Sequence, residues 1–193
     1  SLDFQRILAE MLRDGATHVV AEISSHAIDL ARIDDCEFAM GVFTNFTQDH
    51  LDYHGTMDNY FRAKKRFFTD VLPRSPKRFA PRAIVNTDDP WGRKLLAEFR
   101  EPALTYGIDA TCDVRAESFH LSPEGIEAVI LSGSRRLDVR SPMIGRFNLY
   151  NILAAAAAAE ALGLPADAVR SGISSLSAVP GRMERVSRNG QPL

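Results

Sequence analysis

Two kinds of apolar pattern alternate along the first half of the chain, and this alternation limits the available folds more than any other feature. Residues 18–23, 39–43, 83–85 and 104–106 are short apolar runs of the length expected for buried strands. Helical patterns lie among them. Residues 2–13 have apolar positions at three- and four-residue spacing and stop at Gly15. Residues 57–72 continue the same rhythm behind Thr56, a suitable N-cap, and residues 90–99 open on Pro90. Strands that alternate with helices predict an α/β fold in which a mostly parallel sheet is flanked by helices.

The pattern changes near Cys112. "CDVRAESFHLS", "GIEAVILSG" and "RRLDVRSP" are strand-like and separated by turn residues, which predicts a small antiparallel meander over about 112–141. Residues 147–162 read as a long helix containing six consecutive alanines, a composition that allows close approach to a sheet. Gly163 closes it, and a last helix runs from Pro165 to about Leu176. Residues 1–177 are expected to form one domain, with 178–193 a linker leading into another.

Composition narrows the function. Of 193 residues, 45% are hydrophobic and 25% charged, and the net charge is −2, so neither a nucleic-acid surface nor a membrane surface is expected. The longest apolar stretch, 152–164, is interrupted by Glu160 and too short to span a bilayer. No signal-peptide pattern is visible, and Cys36 and Cys112 lack CxxC spacing, which points to a reducing, cytoplasmic setting.

The chemistry concentrates at one strand exit. "TNFTQDHLDYHGT", residues 44–56, follows the run 39–43 directly and brings two histidines and two aspartates. Ligands of open α/β sheets collect at the carboxyl ends of strands, and Glu22 stands near a second such end. On the helix 57–72, Lys64 falls on the apolar face with Met57, Tyr60, Phe61, Phe67, Phe68, Val71 and Leu72. Its ammonium can snorkel to the rim. Alternatively, desolvation lowers its pKa and leaves a nucleophilic amine able to take up carbon dioxide. The resulting carbamate is an anionic oxygen ligand of the kind Mg²⁺ prefers, and Glu22, His50 and a modified Lys64 could converge on such an ion. The four-residue spacing of His50 and His54 is also that of helical zinc ligands, but Gly55 argues against a regular helix and no HExxH is present.

The strings "SSHA", "FTNFTQDHLDYHGTM" and "YFRAKKRFF", followed in order by "VNTDDPWGR", "IGRFNLYNILAAAAAA" and "VPGRMERV", resemble the central domain of the Mur ligases, and within them the MurE type. The resemblance implies an ATP-dependent ligase of peptidoglycan precursor synthesis. Such an enzyme adds a diamino acid, diaminopimelate or lysine, to UDP-MurNAc-L-Ala-D-Glu through an acyl phosphate. It implies Mg²⁺ as cofactor and ATP as cosubstrate. Matched position by position, Lys64 is the carbamylated lysine and Glu22 and His50 are metal ligands, with Lys64 and His50 at the catalytic centre. Ser24, Arg32, Thr44 and Asn45 hold the UDP-sugar peptide. Asn86 and Asp89 face the adenine and ribose side of ATP, Asn148 and Asn151 contact the nucleotide at a helix start, and Arg182 reaches it from the linker. Each has a plainer reading: Asn86 and Asp89 form a turn and an N-cap, Asn148 caps a helix, and Arg32 is a solvated charge.

No glycine in the chain is followed by lysine, so a G-x-x-x-x-G-K-[ST] phosphate loop is missing from it. The ends look cut, and the loop with the first parallel strand is expected upstream. The resulting open sheet edge favours self-association, and the piece alone is expected to be inactive. Competing readings are another ligase of the superfamily (folylpolyglutamate or cyanophycin synthetase-like), a metal-dependent hydrolase using Asp49, His50 and His54, and a catalytically silent binding module.

Overall fold

The computed structural model of the protein describes residues 2–74, 82–109 and 111–176. Their contacts divide the chain into two compact units: Ser1–Gly41 with Thr47–Pro81, and Val42–Phe46 with Arg82–Leu193.

The first unit is helical. It contains α1 (Leu2–Arg13), α2 (Ser25–Asp29), α3 (Leu51–His54) and α4 (Met57–Arg66). Thr56 caps α4 as expected, its hydroxyl accepting from the Asn59 amide at 3.2 Å. The helix anticipated over 57–72 is not uniform. After Arg66 it widens into a π-helical turn, Phe67–Val71, and tightens into a 3₁₀ turn, Leu72–Arg74. Phe67, Phe68, Val71 and Leu72 are buried along this stretch, so the apolar side chains still face inward through the change in pitch.

Two further expectations are corrected in this unit. Residues 18–23 form no strand, and Val20 is fully exposed. A strand persists only where a neighbour completes its hydrogen-bond ladder, and β1, at the end of the described sheet, has β2 as its one neighbour. The second correction is α3, a single helical turn where Gly55 had argued against one. Gly55 follows it with φ of 72°, so this glycine ends the turn rather than preventing it.

The second unit is built on a six-stranded mixed sheet: β1 (Met40–Phe43, whose last two residues belong to this unit), β2 (Arg82–Asn86), β3 (Ala103–Gly107), β4 (Val114–Ser122), β5 (Gly125–Ser132) and β6 (Arg135–Ser141). The strands lie in the sheet in chain order. β2, β3 and β4 are parallel neighbours, while β4, β5 and β6 form an antiparallel meander. The meander therefore extends the sheet through β4 rather than standing apart from it. Three helices accompany it: α5 (Pro90–Glu98), α6 (Arg146–Ala161) and α7 (Ala166–Ser175). α6 lies across β2 to β5, and its buried Ala154, Ala156, Ala157 and Ala159 keep the helix close to the strands. The α/β expectation is met. Among the described residues no helix is long and apolar enough to cross a membrane.

Candidate functional site

The candidate residues fall into two groups, one in each unit. In the first unit, α4 carries Lys64 on its inward side, half-buried, with Tyr60 one turn earlier. Burial pushes the Lys64 pKa down, and the carboxylates of Glu22 and Asp49 offset part of that effect. The Lys64 Nζ lies 5.5 Å from the centre of the Tyr60 ring. The other side of this neighbourhood is His50, whose ring meets Tyr60 edge-on at 5.7 Å. Lys64 and His50 thus both neighbour Tyr60, and the charges of Glu22 and Asp49 act on an amine that burial holds below its ordinary basicity.

His50 itself is unusual in its backbone. It occupies the left-handed region, φ 54° and ψ 24°, at the start of α3. Asp49 supports this conformation, its Oδ1 accepting from the His50 amide at 2.7 Å and lying 3.6 Å from His50 Nδ1. Ser24 caps α2 by accepting from the Ala27 amide at 3.2 Å. Arg32 is exposed just beyond that helix.

His54 has a role that its sequence spacing did not reveal. It is buried, its Nε2 is 2.8 Å from the Oγ of fully buried Ser25, and desolvation lowers its pKa. Its imidazole is therefore engaged inside the protein. Among the described residues no group of three His, Cys, Asp or Glu side chains is placed to hold a metal ion. The hydrolase reading built on Asp49, His50 and His54 receives no support. A divalent ion held by Glu22 and His50 would need a further oxygen donor, which the desolvated Lys64 could supply as a carbamate.

The second group lies at the carboxyl ends of β1, β2 and β3, where the fold rule places ligands. Here the plainer readings of Asn86 and Asp89 are met, and each residue does more than they require. Asp89 Oδ1 caps α5, accepting from the amides of Trp91 and Gly92 at 2.8 and 3.2 Å, while Oδ2 accepts from the Phe46 amide at 2.8 Å. Buried Asn86 donates to the Thr44 carbonyl at 2.8 Å and accepts from the Asp88 amide at 3.0 Å. Together they pin residues 44 and 46 to the start of α5, with Asn45 exposed between them.

Asn148 and Asn151 lie in the first turns of α6. Asn148 is buried, donates to the Ile144 carbonyl at 2.8 Å and accepts from Asn151 Nδ2 at 3.2 Å, so it is not a simple cap. Asn151 is exposed. Nearby, Asp88 Oδ2 accepts from the Asp109 amide and the Tyr150 hydroxyl at 3.1 and 3.0 Å, and Arg146 pairs with Asp109 at 2.6 Å. This Asp88–Tyr150 bridge between β2's exit and α6 was not foreseen, because its partners are far apart in sequence. Arg182 lies outside the described residues.

Comparison with known proteins agrees with the motif order. Residues 1–159 match the family described as Mur ligase middle domain. UDP-N-acetylmuramoyl-L-alanyl-D-glutamate–2,6-diaminopimelate ligase of Geobacter metallireducens is 44% identical over 189 residues, covering 98% of this chain and 37% of that protein. The ligase of the same name from Solibacter usitatus is 44% identical over 192 residues, all of this chain and 38% of that protein. A solved structure of a ligase of that name superposes with a TM-score of 0.83 at 30% identity, over 97% of this chain and 38% of the other. MurF ligase from Thermotoga maritima, solved with ADP, shares the fold, with a TM-score of 0.68 at 22% identity. The chain therefore spans well under half the length of these relatives, and it belongs to the Mur ligase middle-domain family.

Proposed function

We propose that this chain is the ATP-using central part of a ligase that joins 2,6-diaminopimelate to UDP-MurNAc-L-Ala-D-Glu. In this reaction the γ-phosphoryl group of ATP passes to the D-glutamate carboxylate and ADP leaves. The amine of the diamino acid then attacks the acyl carbon, phosphate departs, and an amide remains. The observation that carries the reading is the inward-facing Lys64, desolvated within the field of Glu22 and Asp49 and sharing Tyr60 as a neighbour with His50. The relatives named as diaminopimelate ligases support that substrate over lysine.

In this reading Glu22, His50 and a carbamate on Lys64 hold Mg²⁺, which neutralises charge on the phosphates when bound. Ser24 and Arg32 meet the sugar peptide, as do Thr44 and Asn45. Asn86, Asp89, Asn148, Asn151 and Arg182 serve the nucleotide. For Asn86 and Asp89 the hydrogen bonds support an indirect contribution, shaping residues 44–46 and the start of α5. The start of α6, sixteen residues long and without a side-chain cap, suits an anion. The same reading places the enzyme in the cytoplasm with its ATP. Exposed Leu2, Leu12 and Val20 support self-association of the isolated chain.

The test uses the full-length protein with ATP, Mg²⁺ and UDP-MurNAc-L-Ala-D-Glu, supplied with diaminopimelate or lysine, and product analysis by mass spectrometry. A tripeptide product with diaminopimelate is expected, together with one ADP per amide. No product with either amino acid would overturn the assignment. The chain 1–193 alone is expected to show no amino-acid-dependent ATP turnover.

A further inference from the structure

Glu22, His50 and Lys64 come from three separate segments, and His54 touches all three. Its Nε2 is 2.8 Å from Ser25 Oγ, three residues after Glu22. Its backbone amide donates to the His50 carbonyl at 3.0 Å. Its ring stacks on Tyr60, centroids 5.2 Å apart and planes 21° from parallel, one turn ahead of Lys64 on α4. Its own carbonyl accepts from Asn59 Nδ2 at 3.0 Å, closing the link to α4 a second time.

A second observation shows that this arrangement bears strain. His50 holds a left-handed backbone without being glycine. That conformation costs about 1–2 kcal/mol, and it persists only where the surroundings over-determine it. Four residues later, the buried His54 side chain is the anchor that fixes the far end of the same helical turn. Ser25 has no solvent access, so its hydroxyl next to an imidazole is not a nucleophile awaiting substrate. The pair serves as a fastening.

We infer that His54, through Ser25 and Tyr60, is a positioning residue that sets the register of the three segments presenting Glu22, His50 and Lys64 to a divalent cation. This rests on the proposed metal role of those three residues. His54 acts through its neighbours and does not touch substrate.

The experiment measures Mn²⁺ binding to the full-length protein by electron paramagnetic resonance, in bicarbonate and without nucleotide, alongside kcat, KM and the thermal midpoint. His54→Ala is expected to weaken Mn²⁺ binding by about 10- to 100-fold, the range seen when residues supporting metal ligands are removed. His54→Gln, whose amide can still bond Ser25 Oγ, is expected to recover most of that loss. Ser25→Ala should weaken binding in the same direction, and adding it to His54→Ala should cost nothing further. Lys64→Ala is the reference. If it abolishes binding while His54→Ala stays within about twofold of the parent, the positioning role is overturned and the metal site stands. If Lys64→Ala itself leaves binding unchanged, the metal reading fails. Should His54→Ala not fold, Ser25→Ala decides: unchanged Mn²⁺ affinity overturns the inference. A lowered thermal midpoint with unchanged affinity marks a purely structural role and overturns it as well.

Discussion

Asp89 holds Phe46 in place: its Oδ2 accepts a hydrogen bond from the Phe46 amide at 2.8 Å, 43 residues back along the chain. The other oxygen caps α5. Asp89→Ala removes an N-cap worth about 1 kcal/mol and leaves the Phe46 amide without its acceptor, at a further cost of about 1–2 kcal/mol. A loss of about 2–3 kcal/mol is expected in urea unfolding of the chain. Asp89→Ser, which can still cap, should recover roughly the first part only.

Gly92, in the first turn of α5, packs against the end of β2. A Cβ there would lie 2.0 Å from the Asn86 carbonyl oxygen and 3.3 Å from Val85 Cγ1. The clash is with backbone, so α5 itself has to move. Gly92→Ala is expected to cost about 3 kcal/mol. Gly172 in α7 has nothing within 4 Å of the same added atom. There the change to alanine should stabilise by up to about 1 kcal/mol through helix propensity. Denaturant midpoints of the two variants should move in opposite directions.

The unmodified Lys64 amine should make stability depend on pH in the alkaline range. Its folded pKa is lowered from 10.5, chiefly by burial, so between that lowered value and 10.5 the unfolded chain binds more protons than the folded one. Stability from this group therefore rises with pH across the window. Lys64→Met, which keeps the apolar contacts of the side chain, should remove the slope and raise stability at neutral pH. Denaturant melts of both proteins from pH 7 to 10.5 check this, and the variant should lose ligase activity in the full-length enzyme.

Cys112 should react slowly. Burial, with Asp88 adding to it, pushes its thiol up to about 11 from 9.0. At pH 8 it then carries roughly a hundredfold less thiolate than an unperturbed thiol. Alkylation by iodoacetamide, followed by peptide mass spectrometry, is expected to accelerate about tenfold per pH unit until pH approaches that value. Unfolding in urea should abolish the protection.

Much of the fold is legible in local pattern. The strands of the second unit and helices α4 to α7 follow from apolar spacing, Thr56, Pro90 and Gly163, because those signals act within a few residues. The failures share a different cause. Residues 18–23 have the composition of a strand, but strand formation depends on a neighbour that no local pattern supplies. The π-helical turn after Arg66 preserves the apolar face, so the sequence does not distinguish it from a regular helix. At the candidate site, Lys64 stands out because it breaks an apolar stripe. The bonds from His54 to Ser25 and from Asp89 to Phe46 span 29 and 43 residues, and neither donor nor acceptor is marked locally.

The order of strands in the sheet bears on how the molecule is made. Each strand from β2 to β6 is a neighbour of the one synthesised just before it. A chain emerging from the ribosome can therefore add strand to strand without waiting for a distant segment, and the β4–β5–β6 ribbon needs only two tight turns to close. The β4–β5–β6 pairs join residues close in sequence, and local pairing of this kind favours rapid folding. It leaves the late-synthesised, alanine-rich α6 to arrive on a surface that already exists.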